Sequence, residues 1–377
     1  MLKYEKYRKI YREVAINLNW QDILKANIVS LRQLAGSIPD LAQHSAEYQG
    51  VIDQYPMSIT KYYLSLINKD DPHDPIAKMC LPSLSENTLT GAFDTSGENE
   101  NTVLPGLQHK YRHTALILST NRCAMYCRYC FRKRMVGLDD HETLKEMAAA
   151  FAYVKEHREI NNVLISGGDS LLNDNQVIKT YLENFSAMEH LDFIRLGTKI
   201  PVVLPQRISG DEELLDILNQ YNQKKRVYVV TQFNHVNEVT PAAIKCTEAL
   251  QNAGIVVKNQ SVLLRGVNDT PQALNLLWRR LTAIGVVPYY IFQCRPVRGV
   301  KSQFQVPIEE GVKIIEAAKA LQNGQGKCLK YVISLPQGKI EILGQDDRGE
   351  TLFRYHEAKD ETLQGRIIRA TDLDLSL

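Results

Sequence analysis

The chain has 377 residues, 44% apolar and 23% charged, with a formal charge of +2. That composition excludes a disordered or collagen-like chain, and the absence of any run of 18 apolar residues argues against a membrane-spanning helix. The small net charge gives no field strong enough to gather nucleic acid or an anionic bilayer.

The start, MLKYEKYRKIYREV, alternates charge with aromatics where a secretory signal needs a continuous apolar stretch, so the expected location is cytoplasmic. Seven cysteines in such a chain do not suggest a disulfide framework. Cys80, Cys246, Cys294 and Cys328 lie far apart and are expected to be small buried hydrophobes. Residues 1–108 read as an irregular, helical N-terminal region, with Trp20, Ile23, Leu24, Ile28, Leu31 and Leu34 at helical spacings. The polar stretch Glu86 to Thr102 reads as a long loop.

From residue 114 onward, β-rich runs alternate with helical segments: TALILST, NVLISGG, DFIRLGT, RVYVVTQ, VVKNQSVLL and VPYYIFQ. This alternation predicts parallel strands joined by helices. Two of the helices start at Thr240-Pro241 and Thr270-Pro271, an N-cap followed by proline at the first helical position. The run Lys224-Lys225-Arg226 reads as a solvated turn before a strand. The predicted fold class is α/β, a twisted partial (β/α)6 barrel over 109–322, followed by a small strand-containing segment over 323–377. In such barrels chemistry gathers at the C-terminal strand ends. The clusters Asn121 to Arg134, Ser166 to Asp169, Thr198-Lys199, Gln232 to His235, Arg265 and Gln293 to Arg295 each follow a predicted strand, so they are expected to converge on one mouth.

One of those clusters, CAMYCRYCFRKR, places Cys123, Cys127 and Cys130 close together with no fourth cysteine. A structural zinc site wants four protein ligands, which would need His109 or His113 as well. A cubane iron–sulfur cluster with three thiolates instead leaves one iron open to another ligand. The spacing Cys-x3-Cys-x2-Cys after a first strand is similar to that of the radical S-adenosylmethionine (SAM) enzymes, and ISGGDSLL after the next strand resembles their SAM-amino-binding segment. The resemblance implies a 4Fe-4S cluster on the three cysteines, with its open iron held by SAM. It implies that Ser166, Gly167, Gly168, Asp169 and Gln260 bind SAM, and that electron transfer from the cluster releases a 5′-deoxyadenosyl radical. The two glycines are expected to let backbone approach a ligand closely.

The segments MSITKYYLSLI, LPGLQHKY, IPVVLPQRI, FNHVNEVT, NQSVLLRGVND and PYYIFQC narrow the likeness to the lysine 2,3-aminomutase family. That family adds pyridoxal 5′-phosphate (PLP) on a lysine near the C-terminus, which here would be Lys339, and moves the substrate nitrogen between adjacent carbons. It also implies that Arg132 grips the substrate carboxylate, since a planar guanidinium suits a bidentate partner.

The sequence departs from the family at the substrate end. Lysine-specific members have QCD and DAPGGGGK, whose aspartates hold the distal ammonium; here Arg295 and Ser334 stand in those segments. An arginine 4 Å from that ammonium repels it by about 4 kcal/mol at an effective dielectric of about 20, roughly three decades of affinity. Free lysine is therefore not the expected substrate. The family's HRYPDR segment reads His109 to Thr114, so Lys110 and Arg112 are the candidate substitutes for its phosphate-side arginines.

The implied activity is that of an isomerase, a radical SAM aminomutase. The alternatives are a PLP-independent radical SAM enzyme acting on a peptide or other substrate and, more remotely, a zinc-stabilised binding protein. The expected partners are a small amino-acid substrate and a reducing donor of the flavodoxin or ferredoxin kind, with homo-oligomer formation left open.

Overall fold

Apolar residues recur on both faces of the central strands, and the reason is visible in the computed structural model, which describes residues 19–34, 36–38, 40–138 and 141–373. Helices cover the outside of a curved sheet, and a cavity lies inside it. In β4 (Asn162–Ser166), Val163 and Ile165 are buried while Leu164 and Ser166 line the cavity. β5 (Phe193–Gly197) repeats the pattern, with Ile194 and Leu196 buried and Arg195 and Gly197 lining the cavity. This is the period of two imposed by the pleat.

One twelve-stranded sheet runs in sequence order. β1 (Thr102–Leu104), β2 (Leu107–Tyr111) and β3 (Thr114–Leu118) pair antiparallel. β3, β4, β5, β6 (Arg226–Thr231), β7 (Val256–Leu263) and β8 (Val287–Gln293) are parallel, at the six predicted runs. β9 (Lys330–Leu335) adds a further parallel strand beside β8. β10 (Gly338–Gln345), β11 (Thr351–Ala358) and β12 (Ile367–Arg369) then return antiparallel. The expected partial α/β barrel is thus the fold observed.

The predicted helix starts are present as well. Thr240 accepts from Ala243 N at 3.1 Å and Thr270 from Ala273 N at 3.2 Å. Lys225 is less solvated than expected, because its ammonium donates to the carbonyls of Met188 and Leu191.

The N-terminal region packs on the barrel through specific polar contacts. Thr60 Oγ1 donates to Val203 O at 2.7 Å, and Tyr63 OH donates to Glu238 at 2.7 Å. The same region also holds the cysteine loop: Asn27 donates to Ala124 O at 2.8 Å, while Tyr126 N and Arg128 N donate to Ser58 O and Met79 O. Trp20–Lys25 is helical, but Ile28 pairs with Ile59 in a β-bridge and Leu31–Leu34 is a 3-10 turn, so the apolar spacing serves three short elements. The curved sheet brings β2 near β9, where the Lys110 ammonium meets the carbonyl of Leu335. Residues 1–18, including the opening MLKYEKYRKIYREV, lie outside the described residues. Among the described residues no helix is long and apolar enough to cross a membrane.

Candidate active site

Ends of the parallel strands converge on one cavity of about 350 Å³. The three cysteines, Ser166 to Asp169, Thr198, Lys199, Gln232, Gln260 and Gln293 to Arg295 line it, and so do Lys110, Arg132, Ser334 and Lys339. Several expected members are elsewhere: Asn121, Arg122, Arg128, Lys133, Arg134 and Phe233 to His235 do not line it. Arg265 turns outward to pair with Glu310 at 2.6 Å. Arg112 does not line the cavity: it is more than half exposed and holds Glu361 through 2.9 and 2.7 Å contacts, so its expected place beside a PLP phosphate is not where the fold puts it.

Burial pushes all three loop thiols up, Cys130 to about 11. They would stay protonated at neutral pH unless a metal displaced the proton. Zinc needs a fourth ligand, and the two candidate histidines are engaged elsewhere. His109 bonds Tyr153 OH at 2.9 Å and Arg112 O at 3.1 Å, and His113 bonds Glu159 O at 2.9 Å. Among the described residues no three His, Cys, Asp or Glu side chains are grouped to hold a metal ion. Thiolates of a cubane each take a different iron, so three cysteines on one cavity wall suit that cluster better than a single ion. The other cysteines behave as expected except Cys328: Cys80, Cys246 and Cys294 are buried, while Cys328 is exposed.

The cations of the cysteine loop are not a solvated run, because two buried carboxylates organise them. Glu86 accepts from Arg128 Nε at 2.9 Å and Nη2 at 2.5 Å, and also pairs with Lys133. Glu98 accepts from Arg132 Nε at 3.0 Å and Nη2 at 2.8 Å, and from Arg134 at 2.7 Å. Burial pushes the Glu98 carboxyl up, but Arg132 and Arg134 overcome it and hold it at about 2. Both glutamates lie in the stretch read as a polar loop, which is held in place by 3-10 turns at Leu84–Asn87 and Asn99–Asn101. Arg132 also donates to Gly167 O at 3.2 Å. Three of its five N–H donors are thereby used and two remain for a ligand.

The glycine pair lines the cavity and also packs closely against the chain itself. A Cβ on Gly167 would come within 2.3 Å of Thr120 O, and one on Gly168 within 2.2 Å of Arg122 O. Gly168 N and Asp169 N donate to those same carbonyls at 2.5 and 2.8 Å. The close approach is therefore to the base of the cysteine loop, which it ties to β4. Gly167 also has φ +117°, a conformation that favours glycine. The Asp169 side chain is committed to Thr198 Oγ1 at 2.6 Å, Lys199 N at 2.7 Å and Leu171 N at 3.1 Å. Burial raises its carboxyl to about 6 against those bonds.

Lys339 sits on β10 opposite Ser334 of β9 and Glu357 of β11. Its ammonium pairs with the Glu357 carboxylate and lies 5.4 and 5.1 Å from the ring centroids of Tyr111 and Tyr290. Burial pushes the ammonium down. Lys110, pressed by burial and then by Arg295, is pushed down to about 7. Arg295 donates to Ser96 Oγ at 2.8 Å and stacks 4.2 Å from the Phe131 ring centroid. Lys110, Arg132, Arg195, Lys199, Arg295 and Lys339 line the cavity beside Glu98, Asp169 and Glu357, and Lys199 is also paired with Glu238 at 2.9 Å. The surplus of cations suits anionic ligands, and a buried lysine in that setting suits an aldehyde cofactor carrying a phosphate. Sequence reasoning missed Glu86, Glu98, Arg195 and Glu357.

A parallel βα sheet with three cysteines after its first parallel strand and a glycine pair after its second defines a radical SAM protein, and residues 117–277 match the Radical SAM superfamily model. A protein of Aquifex aeolicus (strain VF5) is 38% identical over 85% of this chain and 86% of its own, and its name assigns it provisionally to L-lysine 2,3-aminomutase. L-lysine 2,3-aminomutase of Clostridium subterminale is 34% identical over 89% of this chain and 79% of its own. Glutamate 2,3-aminomutase of Clostridioides difficile (strain 630) is 34% identical over 87% and 77%. The chain belongs to the lysine 2,3-aminomutase family of radical SAM proteins.

Proposed function

We propose that this chain is a radical SAM aminomutase that, with PLP on Lys339, moves the α-amino group of an amino acid with an acidic side chain to its β-carbon. The observation that carries the reading is the position of Arg295. Its guanidinium lies on the wall of the same cavity that the cysteines and Lys339 line, and its described hydrogen bond is to a hydroxyl, not a carboxylate. Such a group attracts a distal carboxylate and repels an ammonium. Cys123, Cys127 and Cys130 would hold a 4Fe-4S cluster, and the Ser166–Asp169 segment with Gln260 would hold SAM. Bound there, the cluster and SAM supply a 5′-deoxyadenosyl radical, and PLP supplies a conjugated carrier for the migrating nitrogen.

The chain's own residues do the rest. Arg132, its orientation fixed by Glu98, offers its two remaining N–H groups to the substrate α-carboxylate. Lys339 must shed a proton before its amine can act as a nucleophile; burial favours that loss, while the pair with Glu357 opposes it and orients the side chain. The Tyr111 and Tyr290 rings beside Lys339 exclude water from it.

The test is a product assay. Anaerobically reconstituted protein with SAM, PLP and a reductant is incubated separately with glutamate, aspartate and lysine, and β-amino acids are measured by mass spectrometry. The reading expects a β-amino product from an acidic substrate and loss of that product in Lys339→Ala. Turnover of lysine in preference to both acids contradicts it.

A further inference from the structure

Arg195 is a cavity cation that the proposed function leaves without a role. It lies on β5, in register with Leu164 of β4 and Tyr228 of β6, and lines the cavity with Lys339 and Glu357. Its Nη2 donates to Asn162 Oδ1 at 2.5 Å. Asn162 is itself fixed, donating to His113 O at 2.8 Å and Thr114 Oγ1 at 3.1 Å. The Arg195 Nε is buried and has no hydrogen-bond partner. Among the described residues no carboxylate forms an ion pair with this guanidinium, and its nearest ring contact, Phe193, is 5.8 Å from Cζ. Burial pushes its charged form down, as it does for Lys339, whose ammonium Arg195 also helps to depress.

A buried guanidinium with an orphaned donor and no carboxylate in contact, its charge offset only in part and through space by Glu357, is costly to keep. An anion entering the cavity removes that cost, and a phosphate, like a carboxylate, matches the planar fork. The fixed Asn162 keeps the guanidinium in one orientation, so the site is built before its ligand arrives.

We infer that Arg195 is the phosphate seat of the cofactor carried by Lys339, taking the PLP phosphate on its Nε edge. This rests on the PLP reading above. It also accounts for the outward position of Arg112: the phosphate-side cation comes from inside the barrel, on β5, and not from the β2–β3 hairpin.

Two ligands separate the inference from the reading it rests on. PLP and pyridoxal share the aldehyde and differ in the phosphate. Attachment of each to the purified full chain is titrated by absorbance, fixed with borohydride and located by peptide mass spectrometry. In the unsubstituted protein both attach at Lys339, PLP the more tightly. Arg195→Gln is expected to weaken PLP by about ten- to a hundredfold, the worth of one charge-assisted contact, and to leave pyridoxal unchanged. Arg195→Lys is expected to recover part of the loss, and thermal unfolding checks that both variants fold. An equal loss for both ligands, or no loss for either, overturns the phosphate role while leaving Lys339 as the attachment site. If neither ligand attaches to Lys339 in the unsubstituted protein, the PLP reading falls and the Arg195 role with it.

Discussion

Replacing Glu86 with glutamine is expected to be among the most destabilising single changes in this chain, although the residue lies in what reads as a polar loop. Its carboxylate is buried and serves two buried cations, Arg128 at 2.5–3.1 Å and Lys133. Glutamine preserves volume and one acceptor but leaves both positive charges uncompensated. Breaking a buried pair costs about 3–5 kcal/mol, a large part of the roughly 5–15 kcal/mol that holds a domain together. Lys133 offers a partial escape, since burial already pushes its ammonium down to about 8. In the variant that value falls further, so the deficit is largest at low pH, shrinks as pH rises through 8, and is smallest above it, where Lys133 is neutral in both proteins. The damage is local to the cysteine loop, because Arg128 and Lys133 flank Cys130. The assay is the rate of unfolding in denaturant, which stays meaningful if a chain of this size unfolds irreversibly, together with iron retained after reconstitution. Glu361→Gln, which breaks the exposed pair with Arg112, serves as the control and should behave as the unsubstituted protein does. Similar unfolding rates for the two variants would refute the reasoning.

Arg295→Asp should reverse the charge preference of the cavity, removing about 4 kcal/mol of repulsion toward a distal ammonium; binding of lysine relative to glutamate, followed by the spectral change at PLP, should rise by about three decades, and an unchanged ratio would show that Arg295 does not face the substrate. The Glu98 carboxyl is held at about 2 against an ordinary value of 4.5, so its contribution to stability is complete above pH 4.5 and lost as pH falls from there through 2. Glu98→Gln should flatten that acid limb in a pH series of tryptophan fluorescence unfolding curves, whereas an unaltered limb would place the acid sensitivity elsewhere. Gly168→Ala puts a methyl group 2.2 Å from Arg122 O; the base of the cysteine loop must move, and less iron should be retained than in Gly210→Ala, whose Cβ would meet Gln206 O at 3.0 Å.

The parts of the fold legible in the sequence were those with a local signature. Six runs rich in β-branched residues became β3 to β8, and Thr240-Pro241 and Thr270-Pro271 became helix starts, because strand and cap preferences are decided within a few residues. The cysteine spacing carried the class of chemistry in the same way. Glu86 and Glu98 were hidden because a carboxylate in a polar stretch looks solvated until its partners arrive from more than 30 residues away. Arg195 was hidden by its neighbours: in DFIRLGT it reads as one polar residue in a strand, and only the pleat turns it inward. Glu357 meets Lys339 through the β10–β11 register, which is fixed by long-range pairing. The glycine pair was visible, but its close packing on the base of the cysteine loop was not, since that contact is with another part of the same chain.

The central claim, that Cys123, Cys127 and Cys130 carry a cluster able to cleave SAM, is tested most directly by reconstituting the protein anaerobically with iron and sulfide. Metal and sulfide content and 5′-deoxyadenosine formed on reduction in the presence of SAM are then measured together. The account predicts about four irons and about four sulfides per chain, deoxyadenosine production, and loss of both in Cys127→Ala. One tightly held zinc with no iron, or a full cluster that yields no deoxyadenosine, would contradict it.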